Sequence, residues 1–379
     1  MTARSPASFT NRLGAGLRLV LVLGLLYAFL AGIKALELGI RAFGADFVDR
    51  VFDNITHPVA GLFAGLLATV LVQSSSVTTA TIVGLVGAGA LPLATAVPMV
   101  MGANLGTTVT NTLVSLGHVR HGPEFRRAFA GATVHDFFNL LTVVVALPLE
   151  IATGFLSRSA AWLTELLGRD ENISGVELES PISAAVAAPV GVIEDAVAGL
   201  AAPVQGSILL VVGLLLILGS LTLITKNMRT LTASGVERSL NRMLDKGAGL
   251  GAMVLGLVVT ILVQSSSITT SILIPMLAAG IITLPNAYPV TLGANVGTTI
   301  TGLLASLAAV APEALTIALV HTLFNLFGIL LFYPIPILRS IPMRLAQTLA
   351  GVAQEHHSWV VVYVAGAFVV LPLLAVIFL

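Results

Sequence analysis

Two polar quartets interrupt otherwise apolar sequence: Gln73-Ser74-Ser75-Ser76 and Gln264-Ser265-Ser266-Ser267. Serine hydroxyls and the glutamine amide can donate hydrogen bonds to the oxygens of an anion. The surrounding stretches, 58–117 and 247–310, contain no Asp, Glu, Lys or Arg. An anion there would be met by neutral donors and helix ends alone. The apolar run on either side of each quartet is shorter than the roughly 20 residues a span needs, so the quartet reads as the tip of a hairpin or the break in a helix. Such a break exposes free N–H groups at the positive end of the helix dipole, which bind anions without a charged side chain. The plainer reading is helix packing, since small and hydroxyl residues are common between membrane helices. The recurrence of the quartet in the same context favours a site.

A second pair of motifs follows, GANLGT at 102–107 and GANVGT at 293–298. Glycine permits unwinding and close backbone approach. Asn104, Thr107, Asn295 and Thr298 supply neutral oxygens, which suit hard cations. A glycine-kinked helix with its threonines bonded back to their own carbonyls is the simpler alternative. Asp136 is an ionisable carboxylate well inside an apolar stretch; such residues are costly in membranes and usually functional. A purely structural Asp136 would be buried against His135 or Arg127. His135 with Asn139, and His321 with Asn325, are spaced to share a helix face, which suits interhelical hydrogen bonding. No zinc-type His-Glu-x-x-His pattern occurs. Arg126 and Arg127 read as an anchor at the membrane surface.

These residues need a membrane to hold them. Of 379 residues, 56% are hydrophobic and 9% charged, and no Cys is present. Soluble domains carry about 25% charged residues. The composition excludes a soluble enzyme, a disordered chain and a nucleic-acid binder, and the lack of Cys excludes disulfides and thiolate chemistry. Apolar runs predict spans near 19–40, 128–156, 207–225, 314–338 and 358–379. The first is read as a retained helix, because Lys34 and Glu37 follow it where a cleavage site would stand. The Ala-rich 182–202 is expected to lie along the membrane interface.

The two interrupted stretches are copies. Gly65–Gly117 aligns with Gly256–Ala308 at a constant offset of 191 without gaps, close to half of the positions being identical. The chain therefore divides into a first unit (15–156, tip at 73–76), a polar extracytoplasmic insert (157–206), a second unit (207–338, tip at 264–267) and a carboxy-terminal loop and last helix (339–379). Basic residues favour the cytoplasmic side. They concentrate in 1–18, 118–127, 226–246 and 339–344, whereas the acids concentrate in 41–57, 157–206 and 311–313. The alternation this imposes makes the two copies run in opposite directions, with the amino terminus in the cytoplasm. The fold expected is an all-α polytopic membrane protein of two inverted-topology repeats, each with a re-entrant helical hairpin and a broken helix. In such transporters the site lies near mid-membrane between the repeats.

The paired QSSS and GANxGTT segments, with FRRAFAGATVHDFFNLL at 125–141, resemble the type II sodium-dependent phosphate cotransporters over roughly residues 15–340. The resemblance implies sodium-coupled import of inorganic phosphate by alternating access, with Gln73, Ser74, Ser75, Gln264, Ser265 and Ser266 around the phosphate. It places Asp136, Asn139, Thr298 and Thr301 at positions implicated in sodium binding. The sodium candidates are thus Asn104, Thr107, Asp136, Asn139, Asn295, Thr298, Thr301 and Asn325. Members with glycine at the Asp136 position are electroneutral, so the acid implies electrogenic transport. The chain departs from animal members in the loop HVRHGPEF, which carries His118, His121 and Glu124 instead of a Gln and an Asp, and at Ala294, where those often have Ser. The expectation is a transporter and not an enzyme, in a bacterial inner membrane. Its partners are phosphate, co-transported sodium and lipid, without an organic cofactor or nucleic acid. The alternative is a sodium-coupled symporter of another oxyanion or a carboxylate.

Overall fold

The computed structural model describes residues 15–43, 57–167, 181–244 and 249–379. Parts of the loop-charge reading, in 1–14, 44–56, 168–180 and 245–248, lie outside the described residues.

The described chain is helical. Helix α1 is Ala15–Phe43. A hairpin follows, α2 (Pro58–Val72) and α3 (Ser75–Gly87), then α4 (Leu93–Gly106) and the short α5 (Val109–Ser115). Helix α6 (Gly122–Thr153) is long, and α7 (Phe155–Leu166) turns away from it at Gly154, a left-handed residue with φ 64°. Next come α8 (Pro181–Val197) and α9 (Ala202–Leu244). The second hairpin is α10 (Gly249–Val263) and α11 (Ser266–Ala278), followed by α12 (Leu284–Ser306) and α13 (Pro312–Phe332). The chain ends in α14 (Pro336–Glu355) and α15 (Ser358–Phe378), the latter containing a π turn at Gly366–Val370. Five helices, α1, α6, the first part of α9, α13 and α15, are long and apolar enough to cross a membrane. They fall on the five expected spans. The shorter arms α2, α3, α10 and α11 are apolar helices of 10–17 residues, which suits hairpins better than full spans.

The repeat is visible in the elements: α2, α3 and the start of α4 recur as α10, α11 and the start of α12 at the sequence offset. Each first arm presses closely on the helix after its hairpin. A side chain at Gly65 of α2 would run into the Met99 carbonyl of α4, and one at Gly102 of α4 into the Leu62 carbonyl. The copies Gly256 and Gly293 stand in the same way against Val290 and Met253. In lipid, small residues at a helix contact let backbones approach and gain dispersion contacts.

A broken helix is expected in each unit, but the structure has it in the first unit alone. The helix after the first hairpin breaks at Thr107–Thr108, between α4 and α5, whereas its copy α12 runs unbroken through Thr298 and Thr299. The break frees backbone carbonyls, and Ser267 of the other hairpin donates to the carbonyl of Thr107 at 3.5 Å.

The units interlock. Helix α3 packs on α12 and α13 of the second unit, and α11 packs on α5 and α6 of the first. The amphipathic α7 lies on α13, and α14 lies on α6. Helices α1 and α9 pack closely, with Gly32 and Gly39 of α1 against Leu216 and Leu210 of α9. Helix α8 rests on α1, where Tyr27 donates its hydroxyl to the Ala185 carbonyl at 2.9 Å and Val186 and Val190 are buried. An aromatic cluster of Phe138, Tyr288 and Phe332 joins α6, α12 and α13 edge to face.

Candidate functional site

Each quartet forms a tight corner between two helices. Gln73 ends α2 with φ 57°, and Gln264 ends α10 with φ 56°. They are the only non-glycine residues with positive φ among the described residues. That conformation costs an L-residue about 1–2 kcal/mol. The glutamine side chain helps to offset it. Its amide donates back to the helix it terminates, Gln73 Nε2 to the Val70 carbonyl at 2.5 Å and Gln264 Nε2 to the Ile261 carbonyl at 2.7 Å. Its side-chain oxygen then accepts from a helix beyond the hairpin: Thr110 of α5 donates to Gln73 Oε1 at 3.2 Å, and Thr301 of α12 to Gln264 Oε1 at 3.0 Å. A residue without both a donor and an acceptor at that reach could not make both ties.

The next residue is extended and caps the outgoing helix. Ser74 Oγ accepts from the Val77 N–H at 3.3 Å, and Ser265 Oγ accepts from the Ile268 N–H at 3.4 Å. Because the cap uses the serine oxygen as acceptor, the hydroxyl proton stays available to a ligand. Ser75 and Ser266, both buried, open α3 and α11, where first-turn N–H groups have no partner within the helix. Two helix N-termini with serine hydroxyls around them can hold an anion.

The second motif builds a buried amide network. Asn104, Asn139, Asn295 and Asn325 are all buried. Asn295 Nδ2 donates to Asn139 Oδ1 and to Asn325 Oδ1, both at 2.8 Å. Asn139 Nδ2 donates to the Asn104 carbonyl at 3.0 Å, and Asn104 Nδ2 reaches Asn325 Oδ1 at 3.5 Å. His321 Nε2 is 3.1 Å from Asn104 Oδ1. Two residues of each unit thus meet at the contact between units. Thr107 and Thr298 turn their hydroxyls onto their own helices, to the carbonyls of Ala103 at 3.2 Å and Ala294 at 3.1 Å. His135 is buried beside Asn295.

Asp136 is buried at 5% exposure. It does not pair with His135 or Arg127. Its Oδ2 accepts from the Tyr363 hydroxyl at 2.7 Å, and its Oδ1 has no partner. Arg127 instead spans the last carbonyls of α11, Leu277 at 3.1 Å and Ala278 at 2.9 Å from Nε, with Nη2 also on Ala278. A guanidinium there complements the negative end of the helix dipole. In the HVRHGPEF loop, His118 Nδ1 lies 3.6 Å from Glu124 Oε2.

Sequence reasoning missed Tyr363, 227 positions from Asp136 and outside the repeat. It also missed Asn111, which donates to Thr270 at 2.7 Å and accepts from Ser271 at 3.0 Å, tying α5 to α11. The departure of Asn111 from Gly302 at the repeat-related position was the available signal. For Tyr363 the only hint is a phenol hydroxyl in an apolar run.

A family model described as Na+/Pi-cotransporter matches residues 28–157 and 215–350. The chain belongs to this family. The first matched stretch covers most of the first unit, the second runs from α9 through the second unit into α14, and α15 lies beyond both. Among Na+/Pi-cotransporter relatives, sodium-dependent phosphate transport protein 2A of Ovis aries is 35% identical over 427 residues, covering 94% of this chain and 67% of that protein. The 2A protein of Rattus norvegicus is likewise 35% identical over 429 residues, with the same coverage of both chains. Sodium-dependent phosphate transport protein 2B of Homo sapiens is 32% identical over 444 residues, covering 94% of this chain and 64% of that protein. The chain thus spans about two thirds of their length. No solved structure matches it.

Proposed function

We propose that the chain is a sodium-coupled symporter that imports inorganic phosphate, working by alternating access around the two hairpin tips. The observation that carries this reading is the matched pair of corners at Gln73-Ser74 and Gln264-Ser265. Both start a helix with serine hydroxyl donors in a stretch without basic side chains. Phosphate is held by Gln73, Ser74, Ser75, Gln264, Ser265 and Ser266, on N–H and O–H donors from both units.

Sodium supplies the positive charge the protein lacks there. Asp136 Oδ1, buried and unpartnered, is the natural anchor for one ion, and Thr301 stands beside Gln264 at the second tip. Asn104, Asn139, Asn295 and Asn325, with Thr107 and Thr298, offer further oxygens once their present hydrogen bonds rearrange. The counterpart of Asp136 in the second unit is Thr322, bonded back to Ala318 at 3.1 Å. The two halves are therefore alike around the anion and unequal in charge, which makes transport electrogenic.

The units run in opposite directions, with the amino terminus in the cytoplasm of a bacterial inner membrane; the loop charges support this orientation. Gln73 is exposed while Gln264 is half-buried. Such inequality between repeat-related tips is what one state of an alternating-access cycle requires. The deciding experiment is uptake of labelled phosphate into proteoliposomes with and without a sodium gradient. Sodium-dependent uptake that excess unlabelled phosphate competes away, and sulfate or succinate does not, is the expected result. Uptake indifferent to sodium, or competed equally by sulfate or succinate, rejects the reading.

A further inference from the structure

A cavity of about 600 Å³ lies away from both tips, between the start of α6, the α11–α12 turn and α14. Arg126 and Arg127 line it from α6, Gln347 and Gln354 from α14, and Thr283 from the turn. No Asp or Glu is among its lining residues. Neither arginine pairs with a carboxylate among the described residues. Arg127 spends part of its charge on the end of α11, through the Leu277 and Ala278 carbonyls. Arg126 makes no such contact, so its guanidinium fork is open to a ligand. Two amide side chains across the cavity add neutral donors.

The cavity belongs to one unit only. In the alignment that sets His135 on His321, Arg127 meets Glu313 and Arg126 meets Pro312. At the base of the first hairpin, a side chain on Gly87 would touch Ala309 and Ala314 at 2.8 and 3.2 Å, so methyl groups fill that base. The repeat-related transport site therefore does not account for the arginine pair. Its setting is also distinctive. Helix α14 buries Ala346, Ala350 and Ala353 against α6 and exposes Ile337, Leu345 and Val352. A helix with one packed face and exposed apolar side chains among charges suits the membrane interface, where headgroups lie.

The geometry points to this cavity as a binding site for the phosphoryl headgroup of an anionic lipid, held by Arg126 with Arg127, Gln347 and Gln354. Guanidinium groups bind phosphate oxygens in bidentate fashion. A headgroup there bridges α6, the base of the second hairpin and α14, so it braces the hairpin whose tip carries Ser265. Free inorganic phosphate presents the same oxygens, and the exposed apolar face of α14 is what favours the lipid.

The test uses the full chain in detergent without sodium, and native mass spectrometry to count retained molecules. The probes are dioctanoyl phosphatidylglycerol and, as the control without phosphate, dioctanoylglycerol. Wild type is expected to retain the phospholipid and not the control. Arg126→Gln should weaken retention about tenfold, the loss of one charge-assisted contact. Gln347→Glu, at an exposed position on a different helix, brings a carboxylate into the cavity and should do the same. Displacement of the lipid by inorganic phosphate would identify free phosphate as an occupant, and its persistence would assign the lipid. Equal retention of the control lipid, or undiminished retention in both variants, overturns the site.

Discussion

Tyr363 donates its hydroxyl to Asp136 at 2.7 Å, while the other carboxylate oxygen of Asp136 is buried and unpartnered. The donor comes from α15, a helix outside the repeat. Its ring packs edge to face on Phe129 at 6.3 Å and on Phe368 at 5.6 Å. The carboxylate is thereby fixed with one oxygen satisfied and one offered. A helix without a counterpart in the first unit thus holds a carboxylate that the second unit replaces with Thr322.

Tyr363→Phe keeps the ring and removes the hydroxyl. Hydrogen bonds to charged groups contribute about 1.5–3 kcal/mol, and a carboxylate freed to reorient holds a cation less well. The apparent sodium affinity for uptake should fall by about one decade. Phosphate affinity at saturating sodium should stay near wild type. Unchanged sodium activation would mean that the hydroxyl serves packing alone.

Asp136→Gly removes the fixed charge itself. Moving one charge through the membrane potential contributes about 2.3 kcal/mol per 100 mV, so wild-type uptake should respond to an imposed potassium–valinomycin potential. The variant should retain sodium-dependent phosphate uptake and lose that response. A variant as voltage-sensitive as wild type would show that Asp136 does not set the transported charge.

The spans and hairpins were legible because lipid imposes simple requirements on sequence. A span needs a long apolar run, and a duplicated QSSS in a shorter run has few other readings. Partners were not legible. Asn104 and Asn295 read as oxygen ligands from their chemistry, yet here their amides tie them to Asn325 and Asn139, because which helices face each other is settled by packing. Arg127 read as a surface anchor, and its place on the end of α11 depends on a contact 150 positions away. The glutamine of each quartet read as an anion donor. The structure adds a second role, since Gln73 and Gln264 hold the left-handed corner and accept from Thr110 and Thr301.

Ser74→Ala and Ser265→Ala separate binding from capping. Loss of an N-cap costs about 1 kcal/mol of stability, so a modest drop in melting temperature is expected in both. Loss of a donor to a charged phosphate oxygen is larger, about 1.5–3 kcal/mol. Phosphate affinity should therefore weaken by roughly one to two decades in transport assays. A stability loss with wild-type affinity would confine these hydroxyls to the helix cap.

The glycine contacts make a prediction about folding. A methyl group at Gly102 meets the Leu62 carbonyl of α2, which is backbone and cannot swing aside. Overpacking of this kind costs about 1–3 kcal/mol, and here it would push the first arm of the hairpin, α2, away from α4. Gly102→Ala should lower the melting temperature and yield of monodisperse protein. Gly117→Ala, where a methyl group meets nothing within 4 Å, is the matched control and should behave as wild type. Equal behaviour of the two variants would show that the α2–α4 contact is loose.

Orientation can be tested directly, because the chain has no Cys to remove. If basic loops face the cytoplasm, single Cys residues introduced near 170 should react with a membrane-impermeant maleimide added outside. Those near 235 should react only after the membrane is opened. The two hairpins then arrive from opposite faces, because an odd number of crossings separates the copies. Labelling near 170 only from the cytoplasmic side, or near 235 from outside, would place the units in a different arrangement. It would also remove the ground for the proposal that Ser74 and Ser265 share one phosphate.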